Sequence, residues 1–407
     1  MKRLLLAIFV VLAVGGGIWW FSLDKDTRNL MANMPTDHNV LFWSMEERDA
    51  AFRAMDALPA LAQSHVIDAG DAVYPLPKGE AMGMDVSGYM AEQRTSALVI
   101  VQDGKVVLEE YGLDFGPEGK WTSFSVAKSL TSTLAGAAIK DGAIESIDDP
   151  VTKYVKSLEG SAYDEVSVRQ LLTMTSGVKW NEDYTDPKSD VALFNEHEAE
   201  DGLNVTVSYM RKLPREAPAG EKWVYKTGET NLIGVLISEA TGKPLAEYLS
   251  EKVWAPFGME QDATWLLGST GEEISGCCVQ ASTRDMARYG LFIMGGGVVG
   301  GETVFPEGWL EEATTKQADI GSPGFGYGYQ WWTYDDGTFA AQGIFGQGIF
   351  IDLERNLVIA SNSNWPQASG QGAEGDQRLK FYRKVQAFLD AQSARQQSAQ
   401  QSANSGG

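Results

Sequence analysis

The chain opens on an unbroken apolar run, closes on a polar one, and changes period several times between them. Leu4 to Leu23 is uncharged over 20 residues. As a helix rising 1.5 Å per residue it would span about 30 Å, one bilayer core. Lys2 and Arg3 precede the run, and Trp19, Trp20 and Phe21 fall at its far end, where interfacial aromatics belong. Residues 1–23 therefore predict an uncleaved single-pass anchor in the cytoplasmic membrane, with the remainder on the outer, periplasmic side. A cleavable signal peptide releasing a secreted chain is the competing reading. The length of the run and the lack of an Ala-x-Ala site after it weigh against cleavage.

Residues 24–90 read as a stalk and N-terminal extension. Glu46 to Ala62 has helical spacing (Phe52, Met55, Leu58), and a loop follows around Pro75 and Pro77. Residues 91–390 read as one domain. Ala97–Val101 and Val106–Tyr111 flank Asp103-Gly104, a hairpin signal. Ser125–Lys140 repeats apolar residues at fourfold spacing (Leu130, Leu134, Ala138) and predicts a buried helix. A mostly helical middle follows. Phe339–Gly343, Ile349–Asp352 and Leu357–Ser361 predict three antiparallel strands, and Gly375–Gln392 a final amphipathic helix. Strands at both ends with helices between predict an α/β fold: a sheet closed by both ends of the domain, with an all-helical insert. Residues 391–407, rich in Gln, Ser and Ala, predict a disordered tail.

Composition is that of a folded protein, 43% apolar with a net charge of −22. Such charge disfavours a nucleic-acid partner and any membrane contact beyond the N-terminal segment. His38, His65 and His197 lie far apart without ligand spacing, so no metal site is expected. Cys277 and Cys278 are neighbours and cannot staple distant segments. They admit a vicinal disulfide or two packed thiols, and packing is the favoured reading.

Ser-x-x-Lys occurs three times: Ser22–Lys25, Ser125–Lys128 and Ser176–Lys179. Only Ser125 opens a strong helical pattern. On a helix, residues i and i+3 share a face, which would bring the Lys128 amine to the Ser125 hydroxyl. The helix N-terminus would add N–H groups and a positive dipole end for a developing oxyanion. Lysine is a base only when neutral, and from a pKa of about 10.4 deprotonation at pH 7 costs roughly 4 to 5 kcal/mol. Burial lowers that cost, and Trp121 and Phe124 could supply the apolar wall. The same pattern is also met by a capping serine with a solvent-facing lysine.

Five ordered segments resemble serine β-lactamases and penicillin-binding proteins. They are Trp121–Ser129, Gln170–Gly177, Trp223–Gly228, Ser282–Gly290 and Gln342–Gly348. Together they are collinear over about 300 residues. The resemblance is closest to the class C-like branch that includes esterases and 6-aminohexanoate-dimer hydrolase. It implies a β-lactamase/transpeptidase-like fold: an antiparallel five-stranded sheet flanked by helices, plus an all-helical subdomain. It further implies Ser125 as nucleophile, Lys128 and Tyr225 as its acid/base pair, and the Ser125 and Ile344 N–H groups as the oxyanion hole. Tyr184, Asn195, Thr227, Gln342 and Gly343 are implied to contact substrate. Tyr225 as a core aromatic and Gly343 as a bulge glycine remain the alternatives.

Two departures from the lactamase pattern change the expected chemistry. Thr227 stands where lactamases have the Asn of Tyr-x-Asn. Ala341-Gln342-Gly343 replaces Lys-Thr-Gly and removes the cation that holds a β-lactam carboxylate. Asn195 replaces an acidic residue of the dimer hydrolase. The expectation is an amidase or esterase acting on a small-molecule or peptide substrate through an acyl-enzyme, without a cofactor. A non-hydrolysing sensor or binding module for cell-wall peptides is the alternative. A Ser-His-Asp hydrolase has no Gly-x-Ser-x-Gly elbow to support it.

Overall fold

The computed structural model describes residues 14–35, 37, 39–57, 63–369 and 372–405. A seven-stranded antiparallel sheet runs, edge to edge, Lys105–Tyr111, Thr95–Gln102, Leu357–Ser363, Gly348–Asp352, Phe339–Gln342, Trp332–Tyr334 and Phe325–Tyr327. The first five correspond to the five that patterning predicts. The last two correct the expected strand count. Each is three residues long, too short for a period-2 signal among glycines and aromatics. The hairpin turns at Asp103 (φ 49°) and Gly104 (φ 72°), the paired positive φ values that its tight turn requires.

Both faces of this sheet are covered. Leu98, Ile100, Phe350 and Ile359 lie under Phe381, Tyr382 and Val385 of the C-terminal helix Glu374–Ser405. On the other face Val99, Ile349, Val358 and Ala360 join the main core with Ala287, Leu291 and Phe292 of the helix Thr283–Met294. That helix approaches closely at Gly290, where a Cβ would come within 2.4 Å of Val358 Cγ1. Only glycine allows the approach.

A second, four-stranded sheet has the order Ser64–Ile67, Ala263–Leu266, Val279–Ser282, Lys120–Thr122. The helical region includes Ala127–Lys140, Val168–Leu172, Asp190–Asn195, Val205–Met210 and Thr227–Thr241, packed on one another around the last of these. Ala127–Lys140 is buried along nearly its whole length. A 3-10 turn, Phe124–Val126, precedes it and carries the serine.

The N-terminal extension differs from the expected stalk. Met45–Ala51 is a helix opened by a capping box between Ser44 and Glu47. Phe52 is buried beside Trp121, Phe124 and Phe345, and its carbonyl accepts the Thr122 N–H at 2.8 Å. Ser64–Ile67 pairs with Ala263–Leu266. Apolar positions in this segment are thus satisfied by the hydrolase body itself. At the other end, the helix continues through Ser405 where the composition predicts a disordered tail. Gln, Ala, Arg and Ser tolerate helix, and neither Pro nor Gly interrupts before Gly406. Of the apolar N-terminal run, residues 4–13 lie outside the described residues, and 14–22 are helical. Among the described residues no helix is long and apolar enough to cross a membrane.

Candidate active site

The 3-10 turn places Ser125 at the head of the buried helix, 7% exposed. One turn on, Lys128 is 1% exposed. Its amine donates to Ser125 Oγ at 3.2 Å, to Thr227 Oγ1 at 3.0 Å and to the Gly276 carbonyl at 2.6 Å. It also stands 5.2 Å from the centre of the Tyr225 ring. Burial draws the Lys128 pKa down to about 8, against an opposing pull from the Glu182 charge. Tyr225 stands beside Ser125 and Lys128. Burial holds its phenol well above the usual value; the Ser125 contact lowers it and Glu182 raises it. Its ring stacks on Trp332, 5.5 Å between centroids, which fixes its orientation. The other two Ser-x-x-Lys matches are built differently. Ser22 donates to the Trp19 carbonyl on the surface, and Ser176 donates to Glu229 while Lys179 is exposed.

Three residues missing from the sequence expectation hold this arrangement. Glu182 accepts from the Tyr184 hydroxyl at 3.0 Å, from the Thr227 N–H at 3.0 Å, from the Thr227 hydroxyl and from the Trp180 indole. Its charge therefore reaches Lys128 through one hydroxyl. Asn231 Oδ1 accepts the Gly276 N–H at 2.7 Å, fixing the turn whose carbonyl receives Lys128. A Cβ on Gly276 would meet Thr227 Cγ2 at 2.8 Å. Glu182 lies in a segment with Asp183, Asp186 and Asp190, and nothing in the sequence singles it out.

Ser125 opens onto a cavity of about 470 Å³, within the roughly 300–1,000 Å³ of small-molecule sites. Tyr184, Asn195, Thr227 and Ile344 line it. Gly343 stands just behind. A Cβ there would lie 2.8 Å from the Ser123 carbonyl and 2.6 Å from Gln347 Oε1, so glycine is required. The Ile344 carbonyl accepts the Ser369 N–H at 2.8 Å, which pins the loop. Gln342 is the exception. Its amide donates to the Tyr334 hydroxyl at 2.6 Å and accepts from Arg378 at 2.5 Å, on the face covered by the C-terminal helix. The period-2 alternation of the strand turns position 342 away from a site that opens beside 343 and 344.

Cys277 and Cys278, expected as packed thiols, instead close a vicinal disulfide in the cavity wall. Cys277 N–H donates to the Ile274 carbonyl at 3.1 Å, and Cys278 lies at φ 78°, a tight turn that brings the neighbours together. His197 lines the same cavity but is bonded to Ser208 Oγ at 2.9 Å, and His65 to Glu273 at 2.8 Å. His38 lies outside the described residues.

A buried serine with a hydrogen-bonded lysine, in a cavity of this size, belongs to the class of serine hydrolases. The chain is a member of the β-lactamase family, whose profile matches residues 85–382. It is 31% identical over 341 residues to the 6-aminohexanoate-dimer hydrolase of Paenarthrobacter ureafaciens, covering 78% of this chain and 86% of that one. Among solved structures, a Bacillus anthracis protein designated a candidate 6-aminohexanoate-dimer hydrolase superposes with a TM-score of 0.74 at 21% identity, covering 85% of this chain and 95% of that one. EstCE1, a hydrolase with promiscuous acyltransferase activity, superposes at 0.59 and 14% identity over 75% of this chain and 96% of its own. The family match and the dimer-hydrolase relative make the chain a serine hydrolase of the β-lactamase family.

Proposed function

We propose that the chain cleaves an amide or ester through an acyl-enzyme on Ser125, with Lys128 and Tyr225 as the acid/base pair. The observation that carries this reading is the hydrogen bond from a fully buried Lys128 to Ser125 Oγ, with the lysine pKa drawn down to about 8. At that pKa roughly a tenth of the lysine is neutral at pH 7, against well under a thousandth for an ordinary lysine. Neutral Lys128 takes the Ser125 proton as Oγ bonds to the carbonyl carbon. The oxyanion forms between the Ser125 and Ile344 N–H groups, each contributing about 3 kcal/mol in comparable sites. Tyr225 gives its proton to the leaving alcohol or amine as the carbonyl–leaving-group bond breaks, and takes back the one that Lys128 removed from Ser125. Water then hydrolyses the ester on Ser125 and regenerates the serine.

The test is intact-mass analysis after exposure to a fluorophosphonate, on wild type and Ser125→Ala. One adduct on wild type and none on the variant is expected. No adduct on either would overturn the acyl-enzyme and favour a binding module. Substrate turnover with esters and amides separates a hydrolase from a chain that stays acylated.

Placement outside the cytoplasmic membrane, held by residues 1–23, is part of the same proposal. It is supported by the 20-residue uncharged run behind Lys2 and Arg3. Carbonate-washed membranes from cells making the full chain should retain it, and a protease added to spheroplasts should digest it. Full release into the soluble fraction would refute the anchor.

A further inference from the structure

The stretch before the matched residues 85–382 supplies one wall of the cavity. Val40, Leu41, Trp43 and Met55 line it, in one apolar cluster with Leu266, Ile344 and the Cys277–Cys278 disulfide. This wall is held in place from several directions. Arg48 donates to the Pro366 carbonyl at 3.0 Å, and Asn364 to Asp49 at 2.6 Å. Asp49 also pairs with Arg94 at 2.5 Å. The Trp43 indole donates to Asp37 at 3.0 Å, which orients the ring.

Charge sharpens the picture. Among the described residues lining the cavity there is no Lys or Arg. Glu272 does line it, and its Oε1 is buried without a hydrogen-bond partner. Lys128 is already committed to Ser125, Thr227 and Gly276. A carboxylate entering this cavity would lose its water and meet no cation, a costly transfer. An apolar chain would meet side chains of its own kind and gain by burial.

We infer that the substrate is an ester or amide bearing an uncharged apolar chain, and that residues 39–57 form the wall that selects it, with Leu41 and Trp43 as specificity-determining side chains. The inference rests on Ser125 as the nucleophile and adds the chemical class of what Ser125 attacks. The wall is specific to this N-terminal segment, so the selection is separable from the catalytic group.

The experiment measures kcat/KM of the full chain in detergent on p-nitrophenyl acetate, butyrate and hexanoate, and on the p-nitrophenyl half-ester of adipic acid. Fluorophosphonate labelling is followed in parallel. Wild type is expected to gain about fourfold per added methylene, as for a buried CH2. It is expected to use the carboxylate-bearing half-ester at least about tenfold less well than hexanoate, a modest share of the cost of an unpaired buried charge. Trp43→Ala should flatten the hexanoate-to-acetate ratio. Leu41→Arg, at a half-buried position, should flatten it too and narrow the gap between hexanoate and the half-ester. Each comparison is a ratio within one protein, so a change in the nucleophile cancels. A wild-type ratio near one would overturn the inference while labelling persists, as would ratios unchanged in both variants. Loss of labelling in wild type would instead overturn the nucleophile, and the inference with it.

Discussion

Lys128→Met is expected to slow acylation of Ser125 by about a hundred- to ten-thousand-fold, the usual contribution of a positioned base. In the wild type the rate of fluorophosphonate labelling should rise with pH through a midpoint near 8, because Lys128 works only when neutral and its pKa is drawn down to about 8. The methionine variant should lose that midpoint along with the rate. Glu182→Gln is the companion measurement. Glu182 pulls the Lys128 pKa upward, so removing its charge should let the pKa fall and move the midpoint to lower pH. A lower rate with an unmoved midpoint would make Glu182 a structural prop only. Stability should go the other way. Lys128 binds its proton more weakly folded than unfolded, so the unfolded state holds more protons between about 8 and the ordinary lysine value of 10.5. Wild-type stability therefore carries the full penalty below about 8 and regains it as pH rises toward 10.5. The shift is worth on the order of 3 kcal/mol. Lys128→Met is expected to melt no lower than wild type at pH 7, with any advantage shrinking at higher pH. A large fall in melting temperature at pH 7 would show that the three hydrogen bonds of the amine outweigh its desolvation.

Much of this site could be read from the chain because helix geometry is local. A serine and a lysine three residues apart at the head of an apolar helix must share a face, and the structure brings Lys128 to Ser125 at 3.2 Å. The first two strands announced themselves by Asp103-Gly104 between two apolar runs. Partners that meet through the fold were not legible. Nothing local says that Glu182, among several acids, reaches Thr227 and Tyr184, or that Asn231 fixes the Gly276 turn. Gln342 departs from its expected place at the site for a related reason: the strand sends its side chain to Tyr334 and Arg378. The extension at 39–57 read as a stalk because its amphipathic helix is seven residues long. Its apolar partners Trp121 and Phe345 lie far along the chain.

Lys226→Met is expected to destabilise the fold by about 3–5 kcal/mol at pH 7, the usual cost of stranding one member of a buried ion pair. Lys226 and Glu229 are both 0% exposed, with Nζ 3.8 Å from Glu229 Oε2. The opposite oxygen of Glu229 accepts from Ser176 and from Tyr163 at 3.3 Å. Burial pushes the Glu229 carboxyl up, and Lys226 with the two hydroxyls pulls it back down. Without the lysine, Glu229 keeps only its hydroxyl donors, so its folded-state pKa rises further above the unfolded value. The folded variant then binds a proton that the unfolded chain lacks, and its deficit should shrink as pH is lowered from 7 toward 5. Lys226→Met with Glu229→Gln removes both charges and should recover most of the loss, since a neutral buried pair carries no uncompensated charge. Urea unfolding midpoints at pH 5 and 7 read all three proteins. A single variant as stable as wild type at pH 7 would mean that the pair adds nothing to folding. The pair bears on chemistry through its place in the chain, because Lys226 stands between Tyr225 and Thr227 in the segment that enters the Thr227–Thr241 helix. Displacing that backbone would move the phenol that reaches Ser125 and the hydroxyl that links Lys128 to Glu182. Labelling of Ser125 should therefore slow in the single variant under conditions where it is still folded, and return in the double variant together with its stability.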